Sequence, residues 1–238
     1  MAYSFVMRIL ACGLTTLLAG VQPARPARPA AEGFGADTPG GRDGRRIAVT
    51  SLADTGPGSM RAALEASGPR QVVFEVAGLV TLASPITVTE PYLTLDGSSA
   101  PGDGICVRGS GVVIRTHDVI VRHMRFRPGD INGVEVDALN VAGDSHHVLI
   151  DHVSASWAVD ENLSASGAIH DVTIQWSLIA EGLNNSVHAT GAYASRGSNP
   201  MSNASDGIFA DSLAAELVTP SSSLSGGFTA AFQIAVQV

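Results

Sequence analysis

Lysine is missing altogether. All 14 basic residues are arginine, against 22 aspartates and glutamates, for a formal net charge of -8. So few cations leave no basic patch of the kind that nucleic-acid binding needs. A protein of this charge that handles an anionic polymer needs local arginines or a bridging metal cation to overcome repulsion. Cysteine is scarce too. Only two occur, Cys12 and Cys106. Cys12 lies in an N-terminal stretch that reads as removable, so no intramolecular disulfide is expected. Cys106, inside an apparent strand, reads as a buried structural thiol rather than a nucleophile. Charged residues make up 15% and aromatics 5%, while 45% of residues are apolar and 26 are glycine. That mixture excludes a disordered chain and suits many short strands and tight turns. The apolar run from Ile9 to Val21, behind Arg8, is too short for a comfortable membrane span and suits a signal-peptide core. A proline-punctuated stretch, Pro23 to Ala30, follows it and cannot be helical. Residues 1–31 are therefore expected to be an export signal and linker, cleaved between Gly20 and Glu32. The result would be a secreted protein with no stable membrane association.

What is present is repetition. Four segments align: Tyr92-Leu93-Thr94-Leu95-Asp96, Asp118-Val119-Ile120-Val121-Arg122, His147-Val148-Leu149-Ile150-Asp151 and Asp171-Val172-Thr173-Ile174-Gln175. The steps from Leu93 to Val119, Val148 and Val172 are 26, 29 and 24 residues. Runs that are β-branched and alternate with period 2, repeated at this spacing, predict a solenoid of strands. The fold class expected is all-β, a right-handed parallel β-helix whose coils bury continuous columns of Val, Ile and Leu. The histidines that introduce three of the copies, His117, His146 and His170, read as stacked corner residues rather than metal ligands. A solenoid's first coil needs a cap. Ser59 followed by Met60-Arg61-Ala62-Ala63-Leu64-Glu65 predicts a short helix at that end, with Ser59 as N-cap.

Several ordered motifs then carry a family resemblance. They are Glu32-Gly33-Phe34-Gly35-Ala36, Asp54-Thr55-Gly56-Pro57-Gly58-Ser59-Met60-Arg61, Val72-Val73-Phe74-Glu75-Val76-Ala77-Gly78, Ala100-Pro101-Gly102-Asp103-Gly104-Ile105, Arg122-His123-Met124-Arg125-Phe126-Arg127-Pro128-Gly129-Asp130, Asp137-Ala138-Leu139 and Val148-Leu149-Ile150-Asp151-His152-Val153-Ser154. In this order and at these spacings the chain resembles the pectate lyase family over roughly residues 32–188. The resemblance implies a β-helix domain over 32–190, an acidic polysaccharide (pectate) as substrate, Ca2+ as cofactor and β-elimination as the reaction. It also implies that Asp137 and Asp160, one repeat apart, are calcium ligands.

Glu135, two residues before Asp137, would project on the same face of a strand and make a carboxylate pair with it, so it is a third candidate metal ligand. The family often has a further aspartate where this chain has Ser164, which weakens the expected site. Glu161 directly follows Asp160 and is expected to point elsewhere. Arg125 and Arg127 share a face and are candidate substrate-binding residues, able to meet uronate carboxylates bidentately. Salt bridges to neighbouring acids are the competing expectation. Asp151-His152 with Ser154 or Ser156 invites a hydrolase triad. Adjacent residues of one strand face opposite ways, so that reading is rejected.

The resemblance fades after His188. The family's catalytic arginine segment is not found, and Arg196 is the only arginine after Arg127, so no catalytic residue is assigned. Residues 191–238 form a divergent segment rich in Ala, Ser and Gly. There, Asp206 is expected to cap a short helix through Leu217, and Phe228 to Val238 to form a strand. Two readings stay open: a calcium-dependent lyase, or a lyase-derived β-helix that binds polysaccharide without cleaving it or is a truncated fragment. A monomer is expected. Asn162, Asn184 and Asn203 fit the N-glycosylation pattern.

Overall fold

The computed structural model describes residues 31–183 in full and the backbone of three further strands. Before the first coil come β1 (Arg45–Val49) and helix α1 (Met60–Leu64). Then the chain winds. The first coil is β2 (Arg70–Phe74), β3 (Gly78–Thr81) and β4 (Ile86–Val88). The second is β5 (Leu93–Asp96), β6 (Ile105–Arg108) and β7 (Val112–Ile114). The third is β8 (Val119–Arg122), β9 (Arg125–Arg127) and β10 (Leu139–Gly143). The fourth is β11 (His146–Asp151), β12 (Ser154–Ala155) and β13 (Leu163–Gly167). In the fifth, a single long strand β14 (His170–Ile179) serves two walls and β15 (Ile208–Ala210) the third. The protein is a right-handed parallel β-helix of five coils, as the repeats predict.

We call the three walls A, B and C, in the order in which each coil visits them. Wall A stacks β1, β2, β5, β8, β11 and β14; wall B stacks β3, β6, β9, β12 and the end of β14; wall C stacks β4, β7, β10, β13 and β15. The register puts the predicted columns in line. Leu93, Val119, Val148 and Val172 stack on wall A, as do Val72, Leu95, Val121, Ile150 and Ile174. Wall B contributes Val80, Val107, Phe126 and Ala155, and wall C contributes Ile86, Val112, Leu139 and Leu163. All of these are buried in one core. Their alternation with exposed or half-exposed neighbours is the period of 2 that a strand imposes.

Helix α1 lies over the first coil and buries Met60, Ala63 and Leu64. The Ser59 hydroxyl accepts from the Ala62 backbone N–H at 3.2 Å, as an N-cap does. Arg70 closes the other end of this cap. It occupies the first rung of the Leu93 column, where the later rungs are apolar, and it is fully buried. Its guanidinium donates to the carbonyls of Ala63, Leu64, Gly68, Glu90 and Pro91. Two of those carbonyls, Ala63 and Leu64, belong to the C-terminal end of α1, where helical partners run out.

The outer face of wall A is covered by residues 32–44, which run from the fifth coil back to the first. The Glu32 N–H donates to Gln175 Oε1 at 3.1 Å, Gly35 N–H to Thr173 Oγ1 at 2.9 Å and Gly41 N–H to Thr94 Oγ1 at 2.9 Å. The Glu-Gly-Phe-Gly motif is the start of this strap. A Cβ on Gly35 would stand 2.3 Å from the Val148 carbonyl oxygen, so only glycine lets the backbones approach.

Histidines line the corner between walls C and A. His117, His146 and His170 stack with ring centroids 4.8 and 4.7 Å apart, which bears out their reading as corner residues. Asn162 corrects another expectation. It is fully buried, its Oδ1 accepts from Ala158 N–H and its Nδ2 donates to the Ala180 carbonyl, so it is not a glycan acceptor in the fold. Asn184 and Asn203 lie outside the described residues, as do the expected export signal and the Asp206 cap.

The expected helix through Leu217 is also corrected. Residues 208–210 form β15, which adds to β13 in parallel, and Ala214–Val218 form β16. The open edge of wall C, with its unpaired backbone groups, outweighs the local helix propensity. The expected C-terminal strand is present as β17 (Phe232–Gln237), antiparallel to both β14 and β16. It supplies hydrogen-bond partners to the wall A edge of the last coil.

Candidate functional site

At the entry to wall C, three carboxylates converge. Asp137 lies two residues before β10. Asp160 and Glu161 occupy the corresponding turn one coil on, before β13. Stacking of these coils is direct: the Ala138 N–H donates to the Glu161 carbonyl at 3.0 Å, and Glu161 N–H donates to Asp137 Oδ1 at 3.1 Å. Oxygens of Asp137, Asp160 and Glu161 all lie within 4.8 Å of one another. That spread is about twice a calcium–oxygen bond of about 2.4 Å, so the three oxygens surround a space of the size one ion takes.

Asp137 is held in place by its neighbours on the outer face of wall C. Its Oδ2 accepts from Asn140 Nδ2 at 2.6 Å and from Ser164 Oγ at 2.6 Å. Ser164 and Asn140 are paired in register across β10 and β13. The serine that stands in place of a family aspartate therefore orients Asp137 instead of adding a charge. Asn140 Oδ1 is buried and has no hydrogen-bond partner.

The electrostatics point the same way. Burial, then the hydrogen bond and charge of Asp137, then the charge of Asp160, push the Glu161 carboxyl up to about 8. Three acids held this close are mutually repulsive, and a divalent cation relieves that repulsion. The donor set is all oxygen, half-buried and carboxylate-rich, which suits calcium better than a soft metal.

The sequence-predicted residues divide between walls. Asp137 and Asp160 come together as expected. Glu135 lies in the irregular segment before β10, is exposed and is outside the trio; the strand that would have put it beside Asp137 begins only at Leu139. Glu161 takes the third place. It was expected to point elsewhere on the assumption that Asp160 and Glu161 lie in a strand, but both sit in the turn before β13, where the alternation of a strand does not apply. The cluster Asp160-Glu161-Asn162 is itself a turn signal.

Arg125 and Arg127 are on wall B, not wall C. Neither forms an ion pair with a described carboxylate. Arg125 donates to the backbone carbonyls of Asp103 and Ile105. Arg127 donates to the Ser154 carbonyl at 2.7 Å and to its hydroxyl at 2.6 Å. Arg122 does pair with an acid, Asp96, at 2.6 Å, and that bond opposes the effect of burial and draws the Asp96 carboxyl below its usual range.

Asp151 and His152 are in contact after all: His152 Nδ1 lies 2.7 Å from Asp151 Oδ1. His152 has left β11 and adopts a left-handed conformation with φ of 53°, which turns its ring back. Among the described residues no serine hydroxyl is hydrogen-bonded to the His152 ring. The Ser154 hydroxyl is taken by Arg127, and the His152 ring lies beside those of His123 and Trp176.

No family model matches the chain. Among curated proteins, the probable pectate lyase C of Aspergillus flavus is 43% identical over 158 residues, covering 66% of this chain and 37% of that protein. The protein of the same name from Aspergillus terreus is 42% identical over 172 residues, covering 72% and 40%. That from Emericella nidulans is 42% identical over 158 residues.

Over that stretch the chain belongs to the pectate lyase family.

It spans about two fifths of the length of these curated pectate lyase relatives. Among solved structures, the crystal structure of jun a 1, the major allergen from cedar pollen, matches with a TM-score of 0.51 and 21% identity, over 60% of this chain and 46% of that one. That likeness concerns the fold. Among the described residues of this pectate lyase relative, no helix is long and apolar enough to cross a membrane.

Proposed function

We propose that this chain acts on polygalacturonate as an exported, calcium-dependent polysaccharide lyase. The observation that carries the reading is the convergence of Asp137, Asp160 and Glu161 from two successive coils. Names of relatives that share 42–43% identity support the substrate class. Export is supported by the apolar run behind Arg8 and the proline-rich stretch after it. In this reading residues 1–31 are signal and linker, 32–190 the working domain and 191–238 a divergent end.

Asp137, Asp160 and Glu161 would hold the calcium ion. When bound, calcium neutralises the uronate carboxylate and so acidifies the neighbouring ring proton. The chain's own part is to fix the ligands. Asn140 and Ser164 lock one oxygen of Asp137 and the Glu161 backbone locks the other, so the carboxylate meets the ion without rearrangement. The stacked backbone of β10 and β13 sets the spacing between the acids.

One observation favours a second reading, binding without cleavage. After Arg127 the sequence contains a single arginine, Arg196, and the described part of wall C beyond Asp160 presents none. The test is ultraviolet absorbance of unsaturated product, with full-length protein, polygalacturonate and calcium. The lyase reading predicts rising absorbance that a chelator abolishes and that Asp137→Asn lowers by roughly a hundredfold or more. Retention of the polymer with no product would replace it with the binding reading.

A further inference from the structure

Wall B carries an arginine cluster that the calcium site does not use. Its outward residues follow the register: Leu79, Cys106, Arg125 and Ser154 form one column, and Thr81, Arg108 and Arg127 the next. Arg108, Arg125 and Arg127 therefore stand on adjoining rungs. Burial pushes the Cys106 thiol up, and Arg127, Arg125 and Arg108 around it oppose that shift in part. Arg108 is held by the Thr81 hydroxyl at 2.8 Å, Arg125 by the Asp103 and Ile105 carbonyls, and Arg127 by Ser154. None has a described carboxylate within salt-bridge distance, in a chain whose acids outnumber its bases. Neutral acceptors fix the guanidinium groups, and among the described residues no carboxylate pairs with them directly.

An aromatic platform adjoins them. Trp157 follows β12 in a left-handed turn (φ 63°) and is 47% exposed. The Arg127 guanidinium carbon lies 5.6 Å from its ring centroid. Its Nε1–H donates to Glu181 Oε2 at 3.1 Å, which fixes the plane of the indole. Glu181 also acts on Arg127 electrostatically without forming an ion pair. Of these side chains Arg125, Arg127 and Trp157 line a groove of about 460 Å³, together with Leu79, Asp103 and Cys106, and Arg108 stands beside it. That volume is in the range of small-ligand sites, about 300–1,000 Å³.

We propose that this wall B groove is a second, metal-independent binding site for an acidic sugar chain, separate from the carboxylate site on wall C. Two features select the occupant. Guanidinium groups held by neutral acceptors suit carboxylates, which they can meet bidentately. A flat, half-exposed indole beside them suits the apolar face of a pyranose ring. A polymer held on wall B stays tethered while another stretch of it engages wall C, which raises the local substrate concentration. The choice of a uronate rests on the pectate reading above, whereas the groove itself does not.

Cys106 in the groove floor supplies a direct reporter. The full-length chain is treated with a thiol-alkylating reagent in EDTA, with and without trigalacturonate, and modification of Cys106 is followed by peptide mass analysis. Trigalacturonate is expected to slow alkylation of Cys106 several-fold in wild type and equally in Asp137→Asn. Protection is expected to disappear in Arg125→Gln/Arg127→Gln and in Trp157→Ala, each checked for native circular dichroism. Maltotriose, which is neutral, is expected to give none. No protection of wild type, equal protection by inorganic sulfate or by maltotriose, or full protection in both groove variants overturns the proposal. Because the assay runs without calcium, its failure leaves the wall C reading standing, and loss of elimination activity leaves this one standing.

Discussion

Arg70→Met is expected to destabilise the protein by about 3–5 kcal/mol, the scale for breaking a buried charged network by removing one partner. A methionine restores apolar character to the Leu93 column and removes a buried charge. Where a buried arginine is paired with a carboxylate, replacing both partners by apolar groups is often harmless. Here the partners are five backbone carbonyls, which no substitution removes. The Ala63 and Leu64 carbonyls are left buried without this donor, at a cost of about 1–3 kcal/mol apiece before relaxation, while those of Gly68, Glu90 and Pro91 are only partly buried. That term exceeds what the methionine gains. Arg70→Lys is expected to recover only part of the loss, because one ammonium cannot span acceptors from α1, the Gly68 turn and the Glu90-Pro91 turn. Thermal or urea unfolding of the two variants checks the order wild type, Lys, Met. Equal midpoints would show that the cap does not depend on this guanidinium.

Gly111→Ala is expected to damage fold and site together. A Cβ at position 111 would lie 1.9 Å from the Asp137 carbonyl oxygen and 2.7 Å from that of Ala138. Both contacts are with backbone, so no side chain can swing aside. The next residue, Val112, donates its N–H to the Ala138 carbonyl at 3.2 Å and pairs with Leu139. The start of β10 must therefore move outward and carry the Asp137 carboxylate with it. Overpacking of this kind costs about 1–3 kcal/mol. Displacement of one ligand from the trio is expected to weaken calcium binding by roughly tenfold, about 1.4 kcal/mol. Calorimetric titration with calcium and a thermal melt report the two effects separately. A variant with lower stability and unchanged calcium affinity would show that Asp137 is positioned independently of the rung below it.

Much of the architecture was written in local pattern. The columns through Leu93, Val119, Val148 and Val172 were legible because strand alternation and coil length are both properties of sequence spacing. The capping helix was legible from Ser59 and the helix formers after it. What escaped reading came from contacts between coils. Glu161 was passed over because it was treated as a strand residue, whereas a turn lets neighbouring side chains converge. The same assumption separated Asp151 from His152, which a left-handed turn brings to 2.7 Å.

Arg125 and Arg127 share a face, as the alternation of a strand predicts, but the sequence does not say which wall that strand joins. A β-helix puts successive strands on different walls, so nearness along the chain is not nearness in space. Strap residues Gly35 and Gly41 carried a signal, glycine in an otherwise ordinary segment, but only the coordinates show which carbonyls they approach. At 208–217 the local helix propensity yielded to pairing with an exposed sheet edge.

The most direct measurement of the central claim is the thermal midpoint of full-length protein with calcium and with EDTA, in wild type, Asp137→Asn and Asp160→Asn. The carboxylate trio predicts that calcium raises the wild-type midpoint, because a ligand that binds only the folded state stabilises it by mass action. Each variant should lose most of that rise, measured against its own midpoint in EDTA, because Asp137→Asn also turns an NH2 group towards donors that now meet carboxylate oxygens. An identical calcium response in all three proteins would contradict the account.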